Sequence, residues 1–77
     1  MKIKERTLNG IERYVKERIR PGGFLMAVLE NNLRESIFRA DEENRASLYE
    51  IVSYLYWSVP GNCWGSPEIV KKWLEGE

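Results

Sequence analysis

The chain contains no histidine. That excludes a His-based catalytic triad and any imidazole metal ligand. It has one cysteine, Cys63, so no disulfide can form within the chain. A single thiol cannot build a thiolate metal site, and no base is present to activate it. Cys63 therefore reads as a small buried hydrophobe, and its solitary state fits a reducing compartment. Asp41 is the only aspartate. The pair Glu42-Glu43 reads as solvated helix-start carboxylates, not as an acid/base dyad. These absences point away from an enzyme and imply no cofactor. No stretch approaches the ~20 apolar residues of a membrane span, and no N-terminal apolar run resembles a signal peptide. The expectation is a soluble, cytoplasmic protein without membrane contact.

What is present describes one helical domain over residues 1–77. A chain this short buries roughly 60–65% of the surface its unfolded form exposes. Such a core is marginal without tight packing or oligomerisation. The hydrophobic content of 43% and three tryptophans provide for a core. Twelve basic and twelve acidic residues give a formal net charge of zero. That balance argues against non-specific coating of nucleic acid. It conceals an asymmetry: residues 1–20 hold seven bases against three acids, and residues 30–50 hold six acids against three bases.

The spacing predicts an amphipathic helix over residues 3–19, with Leu8, Ile11, Val15 and Ile19 on one side. Lys2, Arg6, Asn9, Arg13, Lys16 and Arg20 gather on the other. Their stripe is either a solvated face or a polyanion site. Gly10 weakens this helix by ~1 kcal/mol against Ala, so it could start near Thr7 or Asn9. Arg18 falls on the apolar side. Its guanidinium needs a partner, either a glutamate or a bound anion.

Pro21-Gly22-Gly23 ends the first helix and opens the next. A Gly-rich turn at a helix start can cradle phosphate, but it lacks the Gly-Lys-Ser/Thr of a P-loop. A corner between packed helices explains it as well. A second helix, Phe24–Glu30, points Leu25, Val28 and Leu29 inward. Asn32 followed by Glu35 resembles a capping box. That places a break at Asn31-Asn32 and a third helix over Leu33–Ala40, with Leu33, Ile37 and Phe38 apolar. A continuous helix to Ala40 is the alternative, and a ligand contact from Asn31 or Asn32 is the lesser reading of the pair.

Asp41 reads as an N-cap for a helix over 42–58. Leu48, Ile51, Val52, Leu55 and Val59 form its apolar arc, which Tyr49 and Tyr56 extend. Tyr54 and Trp57 lie on another side. Aromatics on several faces imply an interface, so Tyr49, Tyr54, Tyr56 and Trp57 are the candidate interface residues of a homo-oligomer. Pro60-Gly61-Asn62 stops this helix. Ser66-Pro67-Glu68 opens a last one over 67–75, burying Ile69, Val70, Trp73 and Leu74, and Trp64 plugs its junction with the body. The expected fold is all-α: a compact bundle of four or five short helices, oligomeric.

The run Pro21-Gly22-Gly23-Phe24-Leu25, with Ala27-Val28-Leu29, Asn31 and Leu33, continues into Ala40-Asp41 with Asn44 and then Cys63-Trp64-Gly65-Ser66. This pattern resembles short uncharacterised proteins of phage and prophage genomes, from about Ile11 to Trp73. The resemblance implies a phage-type accessory protein acting in the host-cell cytoplasm. Small proteins of that kind commonly antagonise host defence. No site residue follows from it.

Three functional expectations remain. The first is a non-catalytic binder of an anionic small molecule such as a nucleotide signal. Its candidate residues are Arg18, Arg20, Gly22, Gly23 and Asn31, with aromatic rings stacking on bases. The second is an inhibitor docking on a host defence or phage protein through Tyr54 and Trp57. The third, DNA binding, is remote, since no polar recognition helix is evident.

Overall fold

In the computed structural model, which describes residues 3–76, six α-helices and one 3-10 turn carry the chain, and no strand occurs among the described residues. They are α1 (Glu5–Glu17), α2 (Gly23–Leu29), α3 (Leu33–Arg39), α4 (Glu42–Ala46), α5 (Leu48–Ser58) and α6 (Pro67–Leu74); the 3-10 turn is Gly61–Cys63. Lys2 of the basic stripe lies outside the described residues.

α1 starts earlier than Thr7 and runs through Gly10 without a break. The reason is packing. Gly10 is buried, and a Cβ there would stand 3.0 Å from Leu25 Cδ1. The missing side chain lets α2 approach closely, which offsets the helix-propensity cost. α1 also ends before the Pro-Gly-Gly turn. Arg18 adopts the left-handed conformation (φ 56°), its N–H donating to Tyr14 O (3.1 Å), and the next amide, Ile19 N–H, donates back to Arg13 O (3.3 Å). Ile19 therefore leaves the apolar stripe and is 46% exposed.

The break at Asn31-Asn32 is real. Asn31 is left-handed (φ 62°), with Asn31 N–H donating to Val28 O and Asn32 N–H to Ala27 O (2.8 Å). These two bonds form a Schellman cap that satisfies the last carbonyls of α2. Asn32 Oδ1 then accepts the Glu35 amide (3.2 Å) and caps α3. Both side-by-side asparagines thus serve the backbone.

The expected helix over 42–58 is two helices. Ser47 divides it, with its hydroxyl and its amide both donating to Glu43 O (2.9 and 3.1 Å). A serine bonding four residues back competes with the helical ladder and bends it. Asp41 Oδ1 accepts the Asn44 amide (2.8 Å) as the N-cap of α4. Ser66 accepts the Ile69 amide (3.2 Å) as the N-cap of α6.

The buried cluster joins Ile11 and Tyr14 of α1, Leu25, Val28 and Leu29 of α2, Ile51 and Leu55 of α5, and Val59, Cys63 and Val70. Tyr14 is fully buried, and its hydroxyl donates to Cys63 O (2.6 Å). A buried phenol needs such a partner. Trp73 Nε1 donates to Tyr14 O (2.9 Å), and Gly65 N–H to Leu29 O (2.7 Å). These bonds dock the short α6 on the body, with Trp64 half-buried against the core.

Two apolar sets lie at the surface. Leu33, Ile37 and Phe38 are all exposed; α3 faces inward through Ser36, followed by Ala40. Tyr49 and Tyr56 do not extend the buried arc of α5 but point outward, while Tyr54 packs against the core.

Candidate functional site

The C-terminal turn of α1 places Arg18, and among the described residues it pairs with no glutamate. Its guanidinium lies 3.7 Å from the centroid of the Trp73 ring, and Nη1 donates to Trp73 O (2.8 Å). Cation–π stacking and one charge-assisted hydrogen bond satisfy it within the fold. Asn31 is committed to the helix cap and lines a separate surface groove with Tyr56 and Trp64. These two candidates stand apart from the other three.

Arg20, Gly22 and Gly23 do come together, on one wall of a cleft of about 430 Å³. The opposite wall is α1, which contributes Arg6, Thr7, Gly10 and Arg13. Arg39 and Asp41, from the α3–α4 junction, and Asn44 of α4 complete it. Ile19, Pro21, Phe24 and Leu25 supply apolar surface. Arg6, Arg13 and Arg20 are the seven-residue series of the basic stripe. The stripe is a solvated face along part of its length, but these three members line a concavity.

Four guanidinium groups and one carboxylate thus share the cleft. Among the described residues, Arg6, Arg13 and Arg20 form no ion pair. Arg39 Nε bonds Glu35 Oε1 at 2.9 Å, one helical turn back. Asp41 is held from behind by the Lys4 ammonium. That hydrogen bond, joined by the Asn44 amide, keeps the Asp41 carboxyl below its ordinary pKa. The Asp41 bond likewise raises the Lys4 ammonium above its own. Asp41 is therefore ionised near neutral pH with its charge offset, and the cleft stays positive.

The position of Arg39 depends on Gly23. A Cβ at residue 23 would meet Arg39 Nη1 at 3.0 Å and Cδ at 3.4 Å. Glycine here makes room for a guanidinium against the start of α2. With only seven residues, α2 contributes little dipole of its own, so the cleft owes its charge to arginine side chains.

The floor is polar and buried. Thr7 Oγ1 donates to Asn44 Oδ1 at 2.7 Å, and both residues are more than nine-tenths buried. That contact uses the acceptor of the Asn44 amide. Among the described residues no buried side-chain nitrogen or oxygen lacks a hydrogen-bond partner, and Asn44 lines the cleft. The arrangement offers guanidinium forks and an apolar flank. Such a set binds oxyanions and leaves room for a ring.

Residue-level reading of the sequence missed Arg39 and Asn44. The Ala40-Asp41 cap that follows Arg39 marks where α3 ends, but not that its last arginine folds over Gly23. Arg6 and Arg13 carried a usable signal in their exact heptad spacing with Arg20.

A second surface lies on α5. At about 100° per residue, Tyr49, Val52 and Tyr56 share one face and Trp57 borders it. Tyr49 is 78% and Trp57 80% exposed. Tyr56 and Trp57 meet edge to face, with centroids 4.9 Å apart. Tyr54, the other expected docking residue, is half-buried. Comparison with protein-family models, with curated proteins and with solved structures finds no match to this chain.

Proposed function

We propose that this chain is a small non-catalytic accessory protein of phage type that sequesters an anionic, nucleotide-class molecule in the arginine cleft. Counter-defence by removal of a host nucleotide signal is the corresponding role. The observation that carries the reading is the convergence of Arg6, Arg13, Arg20 and Arg39 on one concavity, with Asp41 as the one acid and Lys4 behind it. Like charges gathered in a neutral protein repel one another and destabilise the fold, so their grouping favours a polyanionic ligand. The volume of about 430 Å³ lies within the range of small-molecule sites. Phe24 and Ile19 offer apolar surface for a base. Sequestration requires only Arg–phosphate bonding and stacking, with no group that moves a proton.

A thermal-shift series over nucleoside mono-, di- and triphosphates and cyclic nucleotides tests this. At a ligand concentration of about 100 Kd, a one-site binder stabilises by about 2.7 kcal/mol. A rise in Tm that shrinks with added salt supports the reading. No shift with any phosphate compound overturns it.

The exposed ring face of α5 favours a second reading, an interface with another copy or with a host or phage protein. Single large apolar residues on a surface are ordinary, but Tyr49, Val52, Tyr56 and Trp57 adjoin one another. Light scattering of the wild type and of Tyr56→Ser/Trp57→Ser tests self-association. A dimer or larger species that the double substitution splits assigns the face to a homo-oligomer. A monomer in both proteins removes that assignment.

A further inference from the structure

We infer that Arg20 and Arg39 together grip the ligand's phosphate beside Gly23, and that Gly23 is the positioning residue that seats the Arg39 guanidinium there. This rests on the anion-binding reading above and locates the phosphate within it.

Arg20 and Arg39 line the cleft, and they also line a second concavity of about 350 Å³ together with Pro21 and Gly23. The shared residues form the ridge between the two spaces. The two sides of that ridge differ in charge. The second concavity adds Glu30 and Glu35, whereas the cleft adds Arg6 and Arg13 against the single acid Asp41. A phosphate held by Arg20 and Arg39 is repelled on the first side and attracted on the second. It therefore lies on the cleft side of the ridge.

Arg39 is held at two points. Its Nε donates to Glu35 Oε1 at 2.9 Å, which orients the guanidinium and leaves both Nη groups outside any ion pair among the described residues. Its plane then rests against residue 23. A Cβ there would stand 3.0 Å from Nη1, 3.4 Å from Cδ and 3.8 Å from Cζ.

Backbone conformation does not require glycine at this position. The positive-φ glycines among the described residues are Gly65 and Gly76, so residue 23 is open to other side chains. Alanine would also form the first turn of α2 more readily. What glycine supplies is the space under Arg39. Gly23 makes no bond to the ligand and acts through that guanidinium. A side chain at 23 displaces the free end of a flexible arginine, which costs the fold little but moves the terminal nitrogens that bind phosphate. Stability and binding therefore separate at this residue.

Thermal melts and titration calorimetry with pyrophosphate and adenosine monophosphate test the assignment. Wild type is compared with Gly23→Ala, Gly23→Val, Arg20→Ala, Arg39→Ala and Gly23→Val/Arg39→Ala, each first shown to melt cooperatively. Gly23→Ala is expected to melt no lower than wild type yet to bind both probes about threefold more weakly, and Gly23→Val about tenfold more weakly. Arg20→Ala and Arg39→Ala are each expected to weaken both probes by about tenfold. The double variant is expected to bind no more weakly than Arg39→Ala alone, because the guanidinium that Gly23 seats is gone.

Wild-type affinity in Gly23→Val overturns the inference and leaves the anion-binding reading in place. So does wild-type affinity in Arg20→Ala or Arg39→Ala. A Gly23→Val loss that persists in full without Arg39 overturns it too, since the added side chain would then block the ligand directly. A wild type that binds neither probe overturns both the inference and the reading on which it rests.

Discussion

Arg18 lies over the Trp73 ring, 3.7 Å from its centroid, and donates to the carbonyl of the same residue at 2.8 Å. One side chain thus joins the end of α1 to the end of α6, while its own backbone occupies the left-handed region. Stacking contributes about 0.5–2 kcal/mol, the charged hydrogen bond about 1.5–3, and the backbone strain opposes them by about 1–2. Arg18→Ala loses both contacts and keeps the strain, so a loss of about 2 kcal/mol is expected in urea unfolding. Arg18→Gly loses the same contacts but relieves the strain, and should unfold later than Arg18→Ala. The reverse order would mean that the turn is not left-handed. Neither substitution should alter phosphate binding, because Arg18 lies outside the cleft.

Gly10 allows a close crossing of α1 and α2. Alanine there gains ~1 kcal/mol of helix propensity and presses on the mobile end of Leu25. The two effects nearly cancel, so Gly10→Ala should leave Tm almost unchanged. Gly10→Val has no such compensation and should cost about 1–3 kcal/mol through overpacking. Denaturant melts of the two variants measure the contrast.

The Asp41–Lys4 pair gives stability a pH dependence of known sign. The folded pKa of Asp41 is depressed, so its contribution is present above the ordinary carboxyl pKa of 3.8 and is lost as pH falls through the lower folded value. The folded pKa of Lys4 is raised, so its contribution is present below 10.5 and is lost as pH rises through the higher folded value. Asp41→Asn should flatten Tm on both sides of neutrality. An unchanged acid limb in that variant would show that the pair adds nothing to stability in solution.

Cys63 is buried against Tyr14 and Val70, and burial pushes its thiol pKa above 9.0. The folded state then retains a proton that the unfolded state loses, so stability should fall as pH rises past the ordinary thiol value. Alkylation by iodoacetamide should be slow in the native protein and fast in denaturant. Rapid native-state labelling would place the thiol at the surface.

Local chemistry made much of the fold legible. Ser66-Pro67-Glu68, Asp41 and Asn32 each cap the helix expected of them, because a cap needs only neighbouring residues. The all-α class and the inward Leu25, Val28 and Leu29 followed from period alone. What failed depends on contacts distant in sequence. Gly10 looked like a weak point until Leu25 was placed against it. Ser47 lies inside the helix expected over 42–58, and its bond to Glu43 O divides that helix into two. Arg18 was a misfit whose partner, Trp73, lies 55 residues away.

The candidate site divides in the same way. Arg20, Gly22 and Gly23 are neighbours in sequence and remain neighbours in the cleft. Asn44 enters it through its contact with Thr7, which spans 37 residues, and Arg39 through its close approach to Gly23. Helical period could not reveal those. Period also left open whether Phe38, Tyr49 and Tyr56 face core or solvent, since an apolar residue on a short helix has no sequence mark that separates core from interface.

The central claim is that the arginine cleft binds phosphate. The most direct measurement is titration calorimetry of the most stabilising phosphate compound into wild type and into Arg13→Gln/Arg20→Gln. Wild type is expected to give a saturable exothermic isotherm whose affinity falls with added salt, and the double variant an affinity lower by about a hundredfold, equivalent to about 2.7 kcal/mol. Equal affinity in the two folded proteins would contradict the claim.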